Sequence, residues 1–161
     1  STLTARFNID LTSPTVRIER TPSANVHGWN NSAVTASYIC GDALSGVKVC
    51  PPDFIFGAEG AEQGTSGTAF DYAGNLSSAV LSGISIDKTP PASALSSSGD
   101  VWAEAGSTYL SRWSWIALSA ADPVSSGTAS GIEGVDYYVD SGAFDVYVST
   151  LGLTEGVHTV H

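Results

Sequence analysis

The phrase Asp10-Leu-Thr-Ser-Pro14 returns as Asp87-Lys-Thr-Pro-Pro91, 77 residues further on, and this repeat constrains the fold more than any other feature. Recurrence on this scale means one structural unit built more than once. The residues in front of each copy match too. Leu3, Ala5, Phe7 and Ile9 alternate with Thr4, Arg6 and Asn8, and the same shift turns the first set into Val80, Ser82, Ile84 and Ile86. Both stretches read as strands with one apolar face, each closing a module ahead of a Pro-containing linker. Looser echoes follow: Asp42-Ala-Leu-Ser-Gly46 in Asp122 with Ser130-Gly131, and Glu59-Gly60 in Glu155-Gly156.

The repeat predicts a module over 10–88 and a second over 89–161. In the first, Glu59-Gly60 leads on to Thr68-Ala-Phe-Asp71-Tyr-Ala-Gly-Asn75 and the closing strand; in the second, Glu155-Gly156 leads only to Val157-His-Thr-Val-His161. The second module is therefore expected to lack its last strands, and residues 1–9 to be the last strand of a preceding module or a donor strand. Two readings follow. The chain is a piece of a longer array, or its N-terminal strand completes the second module of a neighbouring copy, an addition favoured by any unfilled sheet edge.

Nearly every ordered segment alternates with period two. Val16 and Ile18 share a face, as do Val34, Ala36, Tyr38 and Cys40; Phe54 and Phe56 mark a short strand. Further on, Ile116, Leu118 and Ala120 alternate with Ala117, Ser119 and Ala121. Val135, Tyr137 and Val139 follow, then a hairpin turn at Asp140-Ser-Gly142, then Phe144, Val146 and Val148. No helical stripe is sustained. Short strands broken by Gly, Pro, Asn and Asp about every ten residues predict an all-β sandwich.

Composition excludes several functions. The net charge is −10 with only six Lys and Arg, which are scattered, so phosphate neutralisation on nucleic acid is not expected. Nor is polybasic attachment to anionic lipid. No apolar run approaches the roughly 20 residues of a membrane helix, so membrane insertion is not expected. Cys40 and Cys50 end two strand-like runs around the turn Gly41–Gly46. They are expected to form a disulfide, which suits an oxidising compartment, with buried free thiols as the other reading. Two cysteines without an adjacent histidine are too few ligands for zinc.

Gly28-Trp-Asn-Asn31, Cys40-Gly-Asp-Ala-Leu-Ser-Gly46, Cys50-Pro51, Glu59-Gly60, Asp71-Tyr-Ala-Gly-Asn75 and Ile86-Asp-Lys-Thr-Pro-Pro91 resemble bacterial Ig-like repeat domains of cell-surface and secreted proteins. The second module resembles a related Ig-like β-domain first described in leptospiral outer-membrane proteins. It does so through Tyr109, Ile116-Ala-Leu-Ser-Ala-Ala-Asp122, Ser130-Gly-Ile132, Tyr138-Val-Asp140 and Gly156-Val-His-Thr159. The resemblance implies tandem Ig-like β-sandwich modules and an extracellular, secreted or cell-surface setting. It is weak for function, because such modules serve as spacers, adhesins, filament parts and enzyme appendages.

Asp71-Tyr-Ala-Gly-Asn75 is a turn that Asp71 can cap. The alternative role for Asp10, Asp42, Asp71 and Asp87 is calcium binding at module junctions, although no dense acidic loop supplies six oxygens. His158 and His161, three apart on a strand, point to opposite faces and do not share a metal. Ser45-Gly-Val-Lys48 matches a Ser-x-x-Lys pattern by chance, in a turn without helix or companion motifs. Trp113 and Trp115 are expected to share a strand face, either stacking on sugar rings or packing against a neighbouring module. Asn30-Asn-Ser32 and Asn75-Leu-Ser77 are glycosylation sequons.

The sequence thus predicts a non-catalytic structural or adhesive segment of an extracellular surface protein or filament, with no cofactor. Its expected partners are neighbouring modules, copies of itself, or a surface polysaccharide or protein ligand. The alternative is a ligand- or carbohydrate-binding accessory module of a secreted enzyme.

Overall fold

The alternating segments form strands throughout, and no helix occurs among the described residues, 2–161, of the computed structural model. They divide into two compact units. The first reaches to Lys88 and takes in Ser125–Thr128; the second comprises Thr89–Val124 and Ala129–His161.

In the first unit, strands β1 (Thr15–Thr21), β2 (Trp29–Asn30), β3 (Val34–Gly41), β4 (Val47–Val49), β5 (Phe54–Phe56), β6 (Gly60–Asp71) and β7 (Leu76–Ile86) make two sheets. One runs β1-β3-β5 and is antiparallel; the other runs β2-β7-β6-β4, with β2 parallel to β7. Alternation puts Val34, Ala36 and Phe56 of one sheet against Ile84 and Ile86 of the other, with Ile18 and Leu81 at the margin. Two sheets sharing one apolar core are consistent with a β-sandwich. Burying a side chain of this size contributes roughly 1.5–3 kcal/mol, so these few residues dominate the unit's stability. The Cys40–Cys50 disulfide links the ends of β3 and the strand after the turn, with Cα atoms 5.9 Å apart.

Residues 2–14 lie outside every strand. The strand expected over 3–9 does not form within the chain: Phe7 and Ile9 are 83% and 78% exposed, whereas Ile84 and Ile86, their repeat counterparts, are 0% exposed. Period-two alternation becomes a strand only where a sheet edge receives it.

The second unit holds β8 (Ala92–Ser98), β9 (Val101–Glu104), β10 (Ser107–Leu110), β11 (Trp115–Ala121), β12 (Asp136–Tyr137) and β13 (Asp145–Val146). They pair as β8 with β11, β9 with β10, and β12 with β13, all antiparallel. Ala105 and Gly106 both take positive φ, the backbone demanded by a two-residue hairpin. The expected turn before β13 closes with the Gly142 amide donating to Val139 O at 2.9 Å. Ile116 is buried as the alternation requires, but Phe144, Val146 and Val148 stay exposed. Strands β12 and β13 pair over two residues each, too briefly to form a covered face.

Candidate functional site

Three of the four proposed calcium ligands converge. Asp10, ahead of β1, Asp42, after β3, and Asp71, ending β6, bring carboxylate oxygens within 4.8 Å of one another. Each stitches backbone. Asp10 accepts from the Thr12 and Ser45 amides at 2.9 Å. Asp42 Oδ1 accepts from Leu44 and Gly46 at 3.1 and 2.6 Å. Asp71 accepts from the Asn75 amide and side chain, each at 2.8 Å. Asn75 Nδ2 also reaches Asp10 O and Thr12 O at 3.2 Å.

The electrostatics follow from these bonds. Hydrogen bonding from Ser45, then from Thr12, holds the Asp10 carboxyl below its ordinary range. Burial pushes Asp71 upward, but the Asn75 and Gly74 hydrogen bonds outweigh it and the net shift is downward. Oδ2 of Asp42 is buried without a hydrogen-bond partner. An all-oxygen donor set of this kind suits a hard cation, yet three carboxylates fall short of the six to eight ligands of calcium. Asp87 lies outside the cluster, buried past the end of β7, where its amide donates to Asn30 O at 2.9 Å.

The tryptophans do not share a strand face. Trp115 opens β11, but Trp113 sits in the preceding turn. Ser111 and Ser114 build that turn: the Ser114 amide donates to Ser111 O at 3.0 Å and the Trp113 amide to Ser111 Oγ at 3.1 Å. Trp113 is 71% exposed, and the Arg112 guanidinium lies 4.5 Å from its ring centre, covering one face.

A pairing absent from the sequence expectations joins His158 to Asp140. Nδ1 lies 2.8 Å from Asp140 Oδ2, Nε2 lies 3.1 Å from Thr154 O, and Asp140 Oδ1 accepts from the Thr159 amide at 2.8 Å. The hydrogen bond that the ring donates to Asp140 raises the imidazole above its ordinary value, against a smaller effect of burial. The same bond leads the causes that lower Asp140. His161 instead stacks on Tyr138, ring centres 4.4 Å apart.

Both sequon asparagines are engaged. Asn30 is buried and donates to Pro22 O and Ser23 O while accepting from Arg20. Asn75 is committed to Asp71 and the 10–12 backbone, as above. No protein-family model, curated protein or solved structure matches this chain.

Proposed function

We propose that the chain is a non-catalytic structural or adhesive segment of an extracellular surface protein or filament, built from tandem Ig-like modules. The observation that carries this reading is the first unit: two sheets on one shared core, with the Cys40–Cys50 bond closing the turn beside them. A disulfide of this kind fits an oxidising compartment, outside the cytosol. Among the described residues no helix is long and apolar enough to cross a membrane.

Single-molecule stretching tests it. Under oxidising conditions the first unit should give a discrete, cooperative rupture. Reduction should then lengthen the released chain by about 30 Å, because the turn closed by the disulfide becomes extensible at roughly 3.5 Å per residue. Featureless extension at low force would sink a load-bearing role.

A second reading rests on Trp113, Trp102 and Tyr109, which are exposed at 71%, 66% and 61%. Exposed aromatic rings stack on sugar faces, and the chain would then be a carbohydrate-binding accessory module of a secreted enzyme. Polysaccharide quenching of tryptophan fluorescence, lost in Trp113→Ala, would favour it over the structural role.

A further inference from the structure

Each sheet of the first unit has two edge strands, β1 and β5 on one, β2 and β4 on the other. An edge strand presents unpaired amides and carbonyls, and proteins guard such edges with charge, irregularity or brevity. Strand β1 carries Arg17, Glu19 and Arg20. Strand β4 carries Lys48 and a break in register between Val47 and Val49. Strand β2 is two residues long. Of these four edges β5 alone has no charge on it: it reads Phe54-Ile55-Phe56, with Phe54 and Ile55 47% and 63% exposed.

Strand β5 pairs with β3 through Phe54 with Ala36, Ile55 with Thr35 and Phe56 with Val34. Alternate residues of an antiparallel strand turn their amides and carbonyls away from the partner, so β5 offers bonding groups on its open side. Among the described residues no strand or isolated bridge takes them up. The strands that flank β5 in sequence, β4 and β6, are paired with each other in the other sheet. The two ends of β5 carry opposite charge. Asp53 precedes it, exposed, with Oδ2 accepting from Ser37 Oγ at 2.8 Å. Gly57 follows it, and Lys88 places its ammonium 2.6 Å from Gly57 O. Pro51 and Pro52 stop the ladder on the Asp53 side, since proline has no amide to donate.

We infer that β5 is a contact between two copies of this chain, pairing antiparallel with itself about a two-fold axis at Ile55. The inference goes beyond the structural reading above by naming where copies meet. A two-fold contact needs a self-complementary patch. In this register Ile55 stands opposite Ile55, Phe54 opposite Phe56, and Asp53 opposite Gly57 of the other copy, where the Lys88 ammonium lies. The axis repeats each relation, so two Asp53–Lys88 ion pairs bracket one apolar centre. Each copy carries a net charge of −10, which opposes contact elsewhere, whereas this edge pairs a lysine with an acid. A slip of one residue sets the outward Ile55 against the inward Phe54 or Phe56. A slip of two sets Phe56 opposite Pro52 or Phe54 opposite Ala58, and takes Asp53 away from Lys88. The pairing joins two three-stranded sheets in the order β1-β3-β5-β5-β3-β1.

The test is light scattering on the full chain, with variants at exposed positions. The mass should double as concentration rises and then stop, because a two-fold contact closes on itself. Ile55→Lys should return the mass to one chain; its side chain is exposed, so the variant keeps the fold and its far-ultraviolet spectrum. Asp53→Lys and Lys88→Asp should each weaken the dimer roughly tenfold, since symmetry counts every lost ion pair twice. The double variant, with the charges exchanged, should restore it. Ile55→Cys should give a disulfide-linked dimer on mild oxidation, because directly opposed residues lie within disulfide reach. A chain that stays monomeric at its highest soluble concentration overturns the inference. So do oligomers that persist in Ile55→Lys, a charge exchange that fails to restore the dimer, and Ile55→Cys chains that do not crosslink. Protection of every amide from Phe54 to Phe56 in the monomer also overturns it, by showing that another part of the same chain covers the edge. Stretching pulls on single chains, so none of these outcomes alters that result, and the contact and the mechanical role fail separately.

Discussion

Nδ1 of His158 lies 2.8 Å from Oδ2 of Asp140, and Nε2 of the same ring lies 3.1 Å from Thr154 O. A carboxylate and a carbonyl are both acceptors, so only the doubly protonated ring satisfies both contacts. The pair therefore couples the state of the ring to the backbone bonds that hold residues 157–161 against Tyr138 and Asp140.

The pH dependence follows from both partners. The His158 pKa is raised on folding, so its contribution is complete below the ordinary imidazole value of about 6.5 and is lost as pH rises through the folded value. The Asp140 pKa is lowered, so its contribution is complete above the ordinary carboxylate value of about 3.9 and is lost as pH falls through the folded value. The pairing is tightest from about pH 4 to 6.5. Exchange of the Thr159 and His161 amides should be slowest, relative to their intrinsic rates, in that window and accelerate on either side. In Asp140→Asn the His158 ring should titrate near its ordinary value; an unchanged NMR titration curve in that variant would refute the coupling.

The Cys40–Cys50 bond should stabilise the first unit mainly by restricting the unfolded chain. For residues ten apart, loop-closure entropy gives about 2.7 kcal/mol. Cys40→Ser with Cys50→Ser should lower the urea midpoint accordingly while leaving the far-ultraviolet spectrum that of a β protein. A loss under about 0.5 kcal/mol would show that the turn is already ordered before folding.

Gly67 on β6 has no room for a side chain. A Cβ there would lie 2.4 Å from Tyr38 Cε1 and 2.7 Å from Pro51 Cγ. The Tyr38 ring lies over this glycine and places its hydroxyl 3.1 Å from Thr65 Oγ1. Gly67→Ala should cost about 1–3 kcal/mol by overpacking, measured by thermal or urea unfolding. The second variant Gly67→Ala with Tyr38→Ala should recover part of the loss, because the clash is removed from the other side. Additive losses would mean that Tyr38 is not the obstacle.

Much of the first unit was legible because its determinants are local. The alternation of Val34, Ala36 and Tyr38 set the inward face of β3, and the Gly-Asn pair with Asp71 set the turn between β6 and β7. The echo between Asp42 and Asp122 is also physical: each carboxylate accepts a 2.6 Å bond from a positive-φ glycine, Gly46 and Gly131 respectively, and keeps its second oxygen buried. The gathering of Asp10, Asp42 and Asp71 could be suspected as candidates but not placed, because contacts such as Asn75 to Asp10 span 65 residues. His158 with Asp140 was missed for the same reason. Trp113 was misplaced although its signal was local: Ser111 and Ser114 bracket it, and their hydroxyls favour a turn over a continued strand.

Neither sequon should carry a glycan in the folded protein. Asn30 is 5% exposed, and its side-chain amide donates to Ser23 O at 2.9 Å and Pro22 O at 3.4 Å. A sugar on Nδ2 removes a donor and forces a bulky polar group into this site, which a chain modified before folding could not close. Asn75 Nδ2 is likewise spent on Asp71, Asp10 and Thr12, and its bond to Asp71 helps to lower that carboxyl against the effect of burial. Secretion from a glycosylating host should therefore yield a soluble, folded fraction with the unmodified peptide mass at both asparagines. Asn75→Ala should lower the melting temperature by roughly 5 °C or more, the change expected when about 1 kcal/mol is lost from a unit of this size. Intact glycans at Asn30 in protein that melts cooperatively would contradict the buried hydrogen-bonding assigned to it.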